Sequence, residues 1–117
     1  MDWNDYMKDV LNDGKEHIEE NARYCDTWEE MEESLFLSDS VTGNGSGSYT
    51  FCTETAKGNV AGIIFDDDAI EAFREYGYEG IPTERGPEAV DVIARCIALG
   101  YVGGELESYY DEIREAA

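Results

Sequence analysis

Glu29, Glu30, Glu32 and Glu33, with Asp26 just before them, and the run Asp66-Asp67-Asp68 are the densest groups of reactive side chains in the sequence. Carboxylates in such numbers can hold a cation, share protons as an acid/base pair, or present negative charge to a basic partner. The aspartate run lacks the alternating spacing and closing glutamate of a calcium loop. Placed before an apolar helical pattern, it reads as negative charge at a helix N-terminus, where the helix dipole favours it. No acid/base pair can be singled out, because 28 acidic residues in 117 put many carboxylates near one another by chance. Presentation of charge is the remaining use.

The other reactive residues offer less. His17, Cys25, Cys52 and Cys96 show no zinc-ligand spacing, and the thiols read as reduced and mostly buried. The loop Gly43-Asn44-Gly45-Ser46-Gly47-Ser48 has no following lysine and acidic neighbours, so it does not cradle phosphate. No nucleophile stands beside a base. The expectation is a protein that is not an enzyme, with no metal and no cofactor.

Charge narrows the partner. Acidic residues outnumber basic ones 28 to 8, for a net charge of −20. Duplex DNA carries one negative charge per ~1.7 Å of axis, so twenty charges match about ten base pairs, or roughly 34 Å. A chain of this length folds to a diameter of roughly 35 Å. Direct binding to nucleic acid or to an anionic membrane is therefore excluded, and the expected partner is a basic protein surface. Self-repulsion at this charge opposes compaction. Adaptation to high salt also produces acidic, lysine-poor chains, and only three lysines occur here. The cysteines, the eight tyrosines and the clustering of charge from Asp26 to Glu33 favour a specific binding face.

The start Met1-Asp2-Trp3-Asn4-Asp5 lacks the basic and apolar pattern of a secretory signal, and no apolar stretch is long enough for a membrane span. A cytoplasmic protein is expected, a single acidic domain over 1–117. Oligomeric state cannot be read from the pattern.

The elements that position these residues follow from periodicity. Trp3, Tyr6, Met7, Val10, Leu11 and Ile18 predict a helix from Asp2 to about Tyr24, with Asp2 as N-cap and Gly14 on its apolar stripe. Asp26 or Thr27 opens a second helix, with Trp28, Met31 and Leu35 inward and the glutamates outward. From Leu37 to Phe51, turn formers around Asn44-Gly45 predict a short hairpin or an extended loop. Residues 53–65 read as helix or strand. The aspartate run starts a helix that ends at Tyr76 and Gly77. Pro87 begins an apolar helix from Glu88 to Leu99, stopped by Gly100. A last helix carries Leu106, Tyr109, Tyr110 and Ile113. The predicted class is α+β, predominantly helical, with four to five helices and one short β-hairpin or small antiparallel sheet.

The segment Ser40-Val41-Thr42-Gly43-Asn44-Gly45-Ser46-Gly47-Ser48-Tyr49-Thr50-Phe51 resembles a motif of small acidic proteins carried by phages and conjugative elements. Val90-Asp91-Val92-Ile93-Ala94-Arg95-Cys96 resembles a second segment of those proteins. In size and charge the chain is also similar to DNA-mimicking anti-restriction and anti-CRISPR inhibitors. That resemblance implies a host nuclease as target, with its nucleic-acid channel as the basic surface. Asp26, Glu29, Glu30, Glu32, Glu33, Asp66, Asp67 and Asp68 would then stand in for phosphates, and Tyr109 and Tyr110 would anchor the contact. The alternative expectation is an acidic accessory or antitoxin-like module that binds a basic protein.

Overall fold

In a computed structural model, residues 2–43, 66–80 and 87–116 are described. Five α-helices account for most of them: α1 (Trp3–Asn21), α2 (Trp28–Phe36), α3 (Asp67–Glu75), α4 (Pro87–Tyr101) and α5 (Gly103–Ala116). A 3-10 turn, Ala22–Tyr24, joins α1 to α2.

Each helix start with a described cap carries a side chain suited to it. Asp2 accepts the Asp5 amide at 2.8 Å, Thr27 accepts the Glu30 amide at 3.2 Å, and Asp66 accepts the Ala69 amide at 3.0 Å. Each satisfies an amide that has no partner within its own helix. The Glu30 carboxylate reaches back to the Asp26 amide at 3.0 Å, one residue beyond the usual capping-box partner. Tyr76 ends α3, and Gly77 turns the chain at φ 97.

α1 lies at the centre, packed against α2, α3, α4 and α5. Its buried residues Trp3, Tyr6, Val10, Gly14 and Ile18 follow helical spacing. They meet Met31 and Leu35 of α2, Phe73 of α3, Val90, Ile93 and Ile97 of α4, and Leu106 and Tyr110 of α5 in one core. A Cβ on Gly14 would stand 2.9 Å from Leu106 Cδ2, so glycine there lets α5 approach α1 closely. Close packing is the role its place on the apolar stripe admits.

Three sequence expectations need correction. The class is not α+β as far as the described residues reach: they are helices and turns, with no strand among them. Within the expected hairpin, residues 38–43 coil into successive turns, with the Thr42 amide on the Ser38 carbonyl and the Gly43 amide on the Asp39 carbonyl. Val41 is fully buried there, and the Thr42 hydroxyl lies 3.0 Å from both the Phe36 and Ser38 carbonyl oxygens. Burial of Val41 rewards coiling against the core over extension. The second arm, from Asn44 to Phe51, and residues 53–65 lie outside the described residues. Gly100 also does not stop α4, which continues to Tyr101. A Cβ at Gly100 would collide with the Tyr76 hydroxyl, so this glycine serves packing inside the helix. His17, which offers no zinc-ligand spacing, is half-buried. Its Nε2 lies 2.8 Å from Ser34 Oγ and its Nδ1 3.3 Å from Asn21 Nδ2, joining α1 to α2.

Candidate partner-binding surface

The predicted site residues separate into three groups. Glu29, Glu32 and Glu33 are exposed on α2, and Asp67 and Asp68 are exposed in the first turn of α3. Asp26 and Glu30 are exposed but engaged. Asp26 Oδ1 lies 3.8 Å from Arg114 Nη2, and Glu30 holds the Asp26 amide. Asp66, Tyr109 and Tyr110 are structural. Asp66 Oδ2 accepts the Trp3 amide at 3.1 Å, so one carboxylate caps both α3 and α1. Those amide bonds hold its carboxyl below the ordinary aspartate range.

Tyr110 is 4% exposed, and its hydroxyl donates to the Cys25 carbonyl at 2.5 Å. Its ring packs against Trp28 with centroids 5.8 Å apart. It anchors the core and offers nothing to a partner. Tyr109 is half-buried, donates to Glu19, and lies under Lys15 Nζ at 5.4 Å.

The two acidic clusters are not brought together. Asp66 is tied to Trp3 at the start of α1, whereas α2 is joined through Ser34 to His17 near its end. Fourteen residues of helix separate those points, about 21 Å. Along that stretch runs a feature that the dense runs obscure. Asp2, Asp5, Asp9, Asp13, Glu16 and Glu20 recur at spacings of three and four, which places them in a stripe about 80° wide. The stripe extends about 27 Å. Five of the six side chains are exposed, and Asp13 is half-buried. The signal was present in the sequence as a periodicity of carboxylates.

The cations of the described residues leave this ridge largely unneutralised. Arg95 sits at its border, with Nη1 donating to the Val41 carbonyl at 3.0 Å and to Asp13 Oδ2 at 3.3 Å. Its Nε lies 3.6 Å from Asp91 Oδ2, and its guanidinium stands 5.6 Å over the Tyr6 ring. Tyr6 in turn donates to Asp91 Oδ1 at 2.6 Å. Burial, and then this bond to Asp91, push its hydroxyl pKa far upward. Arg74 pairs with Glu71 and Arg114 with Asp26. Among the described residues no ion pair reaches Asp5, Asp9, Glu16 or Glu20.

At its far end the ridge meets α2. Glu20 lies one turn beyond His17 and Glu30 one turn before Ser34, so the His17–Ser34 bond brings the two acidic helices side by side. A hollow of about 130 Å³ opens there, lined by Asp13, Glu16, His17, Glu20 and Ser40. Among the described residues no cluster of side chains is arranged to hold a metal ion, and no helix is long and apolar enough to cross a membrane.

No protein-family model matches the chain, and no curated protein or solved structure matches it.

Proposed function

We propose that the chain binds the basic nucleic-acid channel of a host defence nuclease in the bacterial cytoplasm, with the carboxylates of α1 taking the place of phosphates. The observation that carries the proposal is the ridge Asp5, Asp9, Asp13, Glu16 and Glu20 on α1, with Glu30 of α2 alongside its far end. The α1 carboxylates are in line on one rigid helix, and among the described residues no ion pair reaches Asp5, Asp9, Glu16 or Glu20. Such a line matches a groove of Arg and Lys side chains in sign and in form. The molecule measures 44 × 26 × 20 Å and carries a net charge of −20. A duplex 44 Å long carries about 26 phosphates. The charge per length is thus close to that of the ligand it would displace. The similarity in size and charge to DNA-mimicking inhibitors favours a nuclease over other basic proteins.

The test is charge reversal in two patches. Changing Asp5, Asp9, Glu16 and Glu20 to lysine should weaken inhibition of the target nuclease at least ~100-fold, since each lost ion pair at a desolvated contact is worth about tenfold or more. Changing Glu107, Asp111 and Glu115 on the exposed side of α5 should leave inhibition within a few-fold of the parent. Equal losses in both variants would mean that net charge, and not the ridge, governs binding.

A further inference from the structure

His17 is the single histidine of the sequence, and both of its ring nitrogens are engaged where α1 meets α2. Asn21 decides which of them carries the proton. Its Nδ2 donates to the His17 carbonyl at 2.9 Å, and the same nitrogen faces Nδ1 of the ring at 3.3 Å. Nδ1 must therefore accept, so the ring proton sits on Nε2, which donates to Ser34 Oγ at 2.8 Å. A second proton can enter only at Nδ1. There it would set one N–H against another, with the Asn21 amide held in place by the His17 carbonyl. The ring's present site is built for the neutral form.

The space beside it suits the charged form. The hollow of about 130 Å³ that His17 borders is lined by Asp13, Glu16, Glu20 and Ser40. About four waters of liquid fill a similar volume, which is room for a five-membered ring. Asp13 lies one turn before His17 and Glu20 one turn after it, spacings at which a helical carboxylate pairs with a cation. Of the three carboxylates, Asp13 alone has a cationic partner among the described residues, Arg95 of α4 at 3.3 Å. From α2 the ring meets the uncharged Ser34. Glu30, a turn before Ser34, reaches back to the Asp26 amide, and Glu33 is exposed beside it. The 38–43 turns close the hollow with Ser40, next to the exposed Asp39. The charges around the ring are thus carboxylates, with Arg95 at their border.

We infer that His17 is a proton-operated latch between α1 and α2: the neutral ring ties Asn21 and Ser34 together, and the protonated ring leaves them for the carboxylates of the hollow. Uptake of a proton at Nδ1 breaks the bond from Asn21. The imidazolium, with two N–H donors, takes Glu16 and Glu20 as acceptors. Ser34 then loses its tie to α1, while Met31 and Leu35 keep α2 in the core, so the helices shift without coming apart. Each site accepts one form of the ring, which gives the junction two discrete arrangements. Burial holds the ring's pKa below 6.5 against the pull of Glu20, so the latch is closed at neutral pH and opens in mild acid. Opening places a positive charge at the far end of the ridge and weakens its hold on a basic partner. That consequence rests on the proposed function, whereas the latch itself does not.

NMR of the whole chain reads the latch directly, because one histidine gives one set of imidazole signals. As pH falls from about 7.5 to about 5, the ring should titrate and the amide signals of Asn21 and Ser34 should move with the same midpoint. Over that range, nuclear Overhauser contacts from the ring to Ser34 should give way to contacts with Glu20 and Ser40. His17→Gln should abolish the movement at Ser34. Glu16→Gln/Glu20→Gln removes acceptors of the open state and leaves the closed one intact, so it should lower the ring's midpoint by about half a pH unit. A ring that titrates with its contacts to Ser34 unchanged overturns the inference. So does a Ser34 movement that survives in His17→Gln, a midpoint unmoved in the double variant, or global unfolding by circular dichroism before the ring takes its proton. None of these readouts involves a nuclease, so a failed latch and a failed nuclease proposal are told apart.

Discussion

Asp66 Oδ2 accepts the amide of Trp3 at 3.1 Å, across 63 positions of sequence, while its Oδ1 accepts the amide of Ala69 at 3.0 Å. One side chain therefore starts two helices and sets the place where α3 meets α1. Trp3 stacks on Tyr6 and meets Phe73 edge-on, with ring centroids 5.5 and 6.3 Å apart, so the cap also locates an aromatic corner of the core.

Replacing Asp66 with alanine should lower the melting temperature by several degrees, and asparagine, which keeps one acceptor, by less. The carboxyl is held below the ordinary aspartate value by its amide partners. Its contribution is thus complete above the ordinary value and is lost as pH falls through the depressed one. Melting curves of the parent and Asp66→Ala should converge as the pH falls below 4.

Arg95 gathers Asp13, Asp91, the Val41 carbonyl and the Tyr6 ring. Its removal leaves two carboxylates and a carbonyl short of a partner at the junction of α1, α4 and the 38–43 turns. Arg95→Met should destabilise the fold by about 1–3 kcal/mol in urea unfolding. Lysine should recover less than half of that, because it cannot serve several acceptors from one planar fork.

Burial lowers the pKa of His17 below 6.5, outweighing the opposing charge of Glu20. The neutral ring fits its contacts, accepting from Asn21 at Nδ1 and donating from Nε2 to Ser34. A depressed histidine stabilises fully above its unfolded value and loses that contribution as pH falls through the folded one. Urea midpoints of the parent should decline from pH 7 to pH 5 more steeply than those of His17→Gln.

Unneutralised carboxylates in line repel one another, so the ridge should cost stability in dilute buffer. Asp5→Asn, Asp9→Asn, Glu16→Gln and Glu20→Gln together should raise the melting temperature by several degrees at low salt. The gain should fade as salt approaches about 1 M, where the screening length is about 3 Å. A variant less stable than the parent at low salt would show that these carboxylates support the fold.

Much of the helical frame was legible in the sequence because it rests on local chemistry. Asp2, Thr27 and Asp66 act as caps, the stripe from Trp3 to Ile18 is buried, and Gly77 follows the end of α3. What escaped depends on tertiary contact. Gly100 reads as a stop until Tyr76 is seen to occupy the space of its side chain. Tyr110 reads as an anchor for a partner until the Cys25 carbonyl claims its hydroxyl. The ridge was missed for a simpler reason. Adjacent glutamates such as Glu29 and Glu30 point about 100° apart on a helix, so a dense run disperses its charge, whereas Asp5, Asp9, Asp13, Glu16 and Glu20 look scattered and align.

The central claim is that the ridge competes for a nucleic-acid channel. Its most direct measurement is inhibition of purified restriction endonucleases and CRISPR effectors across a range of DNA or guide-RNA concentration. The account predicts that one of them is inhibited at stoichiometric amounts, that added nucleic acid relieves the inhibition competitively, and that the apparent affinity falls steeply with salt. Inhibition unmoved by excess nucleic acid, or no inhibition of any of these enzymes at low salt, would contradict it.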